Sequence, residues 1–277
     1  MSVAVGANAP RTNSPLPSGH YGIGGLIASE WTKLRTVRST IWTLGVVVVL
    51  GIGLSALATA ETTAHWSSMN FGDRLSFDAT QTSLIGVAFG QLVIGILGVL
   101  VMSAEYGTGT SRATLSAAPR RPMVLGAKVA VFAAVAFVVS EAVAFLSYLL
   151  GQALLRSPVP HTTLSDPQAF RAVFGAGLYL TVLGVFALGL ATIIRHTAGA
   201  ISAFVGALLV LPLINAAMPT FIREHVREYL PAMIGNSITS LHPGPNLFSP
   251  WTGLLVLTGY TAATLLIGAY LLVRRDA

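Results

Sequence analysis

Six apolar runs, each about 20 residues long, leave this chain few ways to fold. They cover residues 41–60, 84–104, 129–150, 172–194, 198–218 and 251–273. In a soluble protein such runs would have to be buried together, and too few charged residues are available to cover them. The chain is 53% hydrophobic and 9% charged, whereas soluble domains carry about 25% charged residues. In lipid the runs must be helical, because hydrocarbon offers no partner for an open N–H or C=O. The expected fold class is an all-α polytopic membrane protein with six transmembrane helices.

Six spans put both termini on one side of the bilayer. With that side inside, it holds eleven of the sixteen Lys and Arg residues, and Arg74, Arg156, Arg171, Arg223 and Arg227 remain outside. The positive-inside rule therefore predicts cytoplasmic termini in a plasma-membrane protein. The pI near 10.1 reflects this topology and anionic lipid headgroups; no nucleic-acid partner is expected. The sequence has no cysteine, so disulfides, thiolate metal sites and cysteine nucleophiles are excluded. Residues 1–21, rich in Pro, Ser, Asn and Gly, read as a disordered cytoplasmic tail. Residues 22–277 read as one six-helix transmembrane domain.

Two amphipathic stretches flank the spans. Along residues 23–38, Ile23, Ile27, Trp31 and Leu34 share one helical face, while Ser29, Thr32, Lys33, Arg35 and Thr36 share the other. Trp31, Lys33 and Arg35 suit a helix lying in the headgroup layer. Glu30 falls on the apolar side, which a purely lipid-facing helix would disfavour. Near the other surface, FIREHVREYLPAMIG precedes the last span. There Phe221, Ile222, Val226, Tyr229, Leu230 and Met233 would form one face of a half-buried helix.

Between the second and third spans lies EYGTGTSRATLSAAPRRPMVLGAK, residues 105–128. Arg112, Arg120, Arg121 and Lys128 make it basic; Gly107, Gly109 and Pro119 break it into short pieces. Thr108, Thr110 and Ser111 are good N-caps, so residues 111–118 have the makings of a short surface helix. Pro122 suits the first turn of the next helix, where its missing N–H costs nothing. Composition alone allows two readings, a positive-inside tether or a docking element for a soluble partner.

The chemistry expected of an enzyme is missing. Both lysines, Lys33 and Lys128, follow a residue other than glycine, so no G-x-x-x-x-G-K-[ST] phosphate loop exists. No His precedes Glu, no Asp lies in a span, and no G-x-S-x-G occurs. No catalytic, cofactor-binding or metal-binding residue is expected. Glu141 lies near mid-membrane, and Tyr148 and Gln152 follow on the same helical face. That face reads either as a polar transport surface or proton site, or as hydrogen-bonded packing between helices. The 86–90 small-xxx-small pattern suits close helix packing, and Pro212 with Asn215 suggests a kink in the fifth span.

The order of these parts resembles the ABC-2-type exporter permeases. The loop is similar to that family's E-x-x-x-G-T and P-x-R-x-x-x-L-x-A-K patterns, with Glu105, Gly109, Thr110, Pro119, Arg121, Leu125, Ala127 and Lys128 at the matching places. The stretch SEWTKLRTVRSTIWTL resembles the family's N-terminal amphipathic helix. The resemblance implies that residues 105–128 form a cytoplasmic coupling loop, with Gly107 and Arg112 among its site residues, that receives an ABC ATP-binding subunit. It also implies a second permease subunit, identical or not. ATP and Mg would bind the partner ATPase and no cofactor this chain. Substrates in the family range over drugs, lipids, polysaccharides and peptides. Two other readings stay open: a proton-coupled carrier using Glu141, and a non-transporting membrane anchor or regulator.

Overall fold

The computed structural model describes residues 22–107 and 121–274, without the side chains of 105–107 and 121. Among these residues there is no strand. Six helices are long and apolar enough to cross a membrane: α2 (Arg38–His65), α5 (Ile85–Gly107), α6 (Arg121–Leu154), α7 (Pro167–Ile194), α8 (Thr197–Ala216) and α11 (Pro250–Arg274). Each covers one of the apolar runs, and most overshoot it. A helix continues past the hydrocarbon until its backbone meets a stop signal; Pro167 and Pro250 begin their helices, and Pro122 is the second residue of α6. The shorter elements are α1 (Ile23–Thr36), α3 (Phe71–Leu75), α4 (Ala79–Ser83), α9 (Thr220–Arg227) and α10 (Pro231–Thr239). The chain is thus an all-α, multi-pass membrane protein.

α7 is the axis. Of its most apolar stretch 72% is buried inside the protein, against 17% for α2. It packs chiefly against α5, α6 and α11, and also carries α8 and α10. Hydrocarbon gives no hydrophobic drive for helices to associate, so contact depends on close approach at small residues. A Cβ at Gly98 of α5 would overlap the carbonyl of Gly184 on α7, and one at Gly189 would overlap the Thr264 hydroxyl on α11. The 86–90 pattern works through one member only. Gly86 meets the backbone of Gly51 on α2, whereas Gly90 has no closer neighbour than Leu180 Cδ1 at 3.8 Å.

The link between α7 and α8 is short. α7 ends at Arg195, whose backbone is left-handed (φ 56°) and whose guanidinium donates to the Leu271 carbonyl at 3.2 Å. His196 Nδ1 accepts from the Gly199 N–H at 3.2 Å and caps α8, closing the tight hairpin that the 195–197 link implied. Within α8 a π-helical turn, Gly206–Val210, precedes Pro212. Widening the helix there accommodates a residue with no N–H and a ring that crowds the preceding turn.

The segment before the last span departs from expectation. FIREHVREYLPAMIG does not form one half-buried helix but splits before Pro231. Leu230 is extended (ψ 129°), as a residue preceding proline prefers. α9 then has no buried residue, and Phe221 stands 76% exposed. α10 instead tucks into the protein with Ile234 and Ile238 buried against α7 and α11. The expected 111–118 helix and the 1–21 tail lie outside the described residues.

The α2–α5 contact is testable. Gly86→Ala forces two backbones apart and should cost about 1–3 kcal/mol, read as a lower unfolding temperature of the purified protein. Gly45→Ala, at a glycine with nothing within 4 Å, should change little. Equal effects of the two substitutions would contradict close packing at Gly86.

Candidate functional site

Both lysines of the chain converge on one carboxylate. α1 turns Leu26, Glu30, Lys33 and Leu34 toward the bundle, and leaves Ile23, Ile27, Trp31 and Arg35 exposed. Lys33 Nζ donates to Glu30 Oε1 at 2.6 Å, and Lys128 Nζ donates to Glu30 Oε2 at 2.6 Å. Glu30 and Lys128 are each 4% exposed at the side chain, and Lys33 is 43% exposed. The placement of Glu30 on the apolar side of α1 is thereby explained. It faces α6, while the Ile23–Ile27–Trp31 stripe stays exposed.

A buried ion pair is expensive to desolvate and is weak evidence of stability, but its geometry is specific. Here it fastens α1 to α6, with which α1 packs more extensively than with α2. Lys128 lies two turns into α6, about 10 Å from its start at 1.5 Å per residue. The fastening point therefore lies on the rigid helix leaving the basic segment.

That segment is shorter than its 105–128 outline. α5 runs through Glu105 to Gly107, and Arg121 to Lys128 already belong to α6. Gly107 is thus the last residue of a helix. Gly109, Thr110, Arg112 and Pro119 lie outside the described residues, as do the side chains of Glu105 and Arg121.

The Glu141 face divides in two. Tyr148 Oη and Thr162 Oγ1 lie 3.0 Å apart, and Thr162 Oγ1 lies 2.9 Å from Thr80 Oγ1. Gln152 accepts from the Thr162 N–H at 2.8 Å and donates to Ala79 O at 3.1 Å and Ser83 Oγ at 3.0 Å. These two residues therefore staple α6 to α4 and to the chain around Thr162. Glu141 takes no part. Its carboxyl lies against Gly177 of α7, where a Cβ would collide with it, and neither oxygen has a hydrogen-bond partner in the protein.

A second polar cluster went unread in the sequence. Asp78 caps α4 by accepting from the Gln81 N–H at 2.9 Å, and its other oxygen accepts from the Leu241 N–H at 2.8 Å. Arg171 donates to Ile238 O at 3.2 Å and Ser240 O at 2.8 Å, satisfying carbonyls at the end of α10. At the other end of α10, Tyr179 Oη lies 3.2 Å from Pro231 O and 2.5 Å from Gln91 Oε1. The spacing Asp78-x-x-Gln81 is a capping signal that predicts the start of α4. No local pattern points from Asp78 or Arg171 to α10.

Six helices are long and apolar enough to cross a membrane, α1 is locked to α6, and α10 tucks inward. A profile of the ABC-2 family transporter proteins matches residues 26–210, about two thirds of the chain. The chain belongs to the ABC-2 transporter family. No curated protein matches it. As an ABC-2 permease it is the membrane subunit of a transporter, a kind of subunit that does not itself hydrolyse ATP. The match takes in α1, the basic segment and the hairpin, and stops within the π turn of α8. α10 and α11 lie beyond it.

The ion pair makes a sharp prediction. Lys128→Met leaves the Glu30 side chain buried without its buried partner, and should cost about 3 kcal/mol or more. Adding Glu30→Gln to that variant should then cost little. A double-mutant cycle on thermal unfolding should give a coupling of about 1–3 kcal/mol; strict additivity would show that the pair holds nothing.

Proposed function

We propose that this ABC-2 permease exports its substrate, energised by a separate ATP-binding subunit that docks on residues 105–128. It works beside a second permease subunit, identical or not, in the plasma membrane, with both termini and the basic segment cytoplasmic. ATP and Mg bind the partner ATPase; this chain contributes no cofactor site. The observation that supports the reading is the buried Glu30–Lys128 pair. A displacement of the basic segment moves the start of α6, and through Lys128 and Glu30 it carries α1. α1 joins α2 through the single residue Val37, so the movement passes into the first span. A tether that only linked two spans would have no use for such a fastening. Orientation rests on the eleven-to-five distribution of basic residues.

Co-expression with the ATPase tests the reading. Glu105→Lys, and separately bulky residues at Gly107 and Gly109, leave the apolar runs intact and should insert normally. Both should lose ATPase co-purification or uncouple hydrolysis from transport. Arg120→Ala with Arg121→Ala, which removes charge but keeps the turn, serves as the reference. ATPase binding and transport at the parent level in both the Glu105 and glycine variants would overturn the docking assignment.

A second reading, a proton-coupled carrier, is favoured by one observation: both Glu141 carboxyl oxygens lack a protein partner. Under the ATP-driven reading, Glu141→Gln keeps transport within about twofold, because the amide is nearly isosteric with a protonated carboxyl. Loss of transport with normal assembly would favour the carrier.

A further inference from the structure

At the end of the bundle opposite the Glu30–Lys128 pair, α10 leans on α7 and α11 and hardly touches α5. The gap is a cavity of about 380 Å³, within the range of small-molecule sites. Three primary amides line it: Gln81 of α4, Gln91 of α5 and Asn236 of α10. Gln91 is oriented by Tyr179, whose hydroxyl donates to its Oε1 at 2.5 Å, so the Nε2 donors are left over. Among the described residues, neither those donors nor the side-chain amides of Gln81 and Asn236 have a hydrogen-bond partner. The Thr239 hydroxyl, which donates back to Gly235 O, adds acceptor capacity at the wall. Gly235 has no alternative: any Cβ there would run into the Tyr179 ring that forms the floor. Apart from Thr82 the remaining wall is aliphatic, and among the described residues no Asp, Glu, Lys or Arg lines the cavity.

Amides in a membrane protein are not offered to lipid tails without compensation; they face protein, water or a ligand. Without a counter-charge in the wall, an ionised ligand would lose its hydration and gain only dipoles. We propose that this cavity binds an uncharged amphipathic molecule that presents several hydroxyl or amide groups to Gln81, Gln91 and Asn236 and lays its apolar body along the aliphatic wall. The proposal rests on the transporter reading, for which the cavity is the substrate station on the side away from the ATPase. α10 is one wall of the cavity. It is held at its ends by Asp78, Arg171 and Tyr179, and only its α5-facing side is open.

The probe is tritiated n-octyl-β-D-glucoside, used below its micellar concentration on the full-length permease in phospholipid nanodiscs without the ATPase. Empty nanodiscs measure partition into lipid. The parent should show a saturable component that Gln91→Leu and Asn236→Leu each weaken at least tenfold. Asn236 is exposed on α10, so Asn236→Leu keeps the test valid even if Gln91→Leu disturbs folding. Octyl phosphate and octyltrimethylammonium should compete at least tenfold less well than unlabelled octyl glucoside. A glycosyl diacylglycerol added to the bilayer separates two sources of the same chemistry. Displacement of the probe assigns the site to a membrane-resident amphiphile; no displacement assigns it to a molecule arriving from water. Binding that does not saturate, that survives both variants, or that favours a charged head overturns the proposal. Because no ATPase is present, failure here is distinct from failure of the coupling assignment.

Discussion

Everything in this permease is arranged around how closely α7 can be approached. In lipid an exposed leucine gains little by turning inward, so the bundle is held by contact between backbones and by the few polar groups it encloses. The glycines provide the contact. Gly98 lies on Gly184, Gly189 admits Thr264, and Gly177 admits the Glu141 carboxyl. With α7 in place, α5, α6 and α11 have their positions, and α8 returns along it after Arg195. The outer faces of α2, α8 and α11 remain apolar and exposed, as befits surfaces turned to lipid or to another subunit.

Apart from Glu141, the polar fastenings of α6 lie near its two ends. α6, 34 residues long, carries Lys128 near its start and Tyr148 and Gln152 near its finish. At the first end Lys128 holds α1 through Glu30. At the other, Gln152 holds α4, and Asp78 of the α4 cap holds the end of α10. One helix thus carries polar fastenings to α1 at one end and to α4 at the other. Glu141, midway along the same helix, has no fastening. It fills the notch that Gly177 leaves.

The spans could be read from the sequence because their cause is local. Length and apolarity decide that a segment crosses the bilayer, and the proline and capping signals near its ends are short-range. The π turn before Pro212 belongs to the same class, since one ring and one missing N–H account for it. The 219–250 segment misled because periodicity ran through Leu230 as though the helix continued. A single residue before Pro231 divided it into an exposed α9 and a buried α10. Glu30 was visible as an anomaly on an apolar face, yet its partner lies 98 residues further on.

The sequence by itself thus determined that the chain is a six-span helical membrane protein with a basic segment after the second span. Each of those properties is a sum over neighbouring residues. Only the tertiary structure decided which carboxylate meets which lysine, that α10 folds inward under Asp78 and Arg171, and that three amides from α4, α5 and α10 face one cavity. Those pairings join residues tens to well over a hundred positions apart. No periodicity extends over such separations. They are set only when the helices settle around α7, because they depend on which helices pack together and not on neighbouring residues.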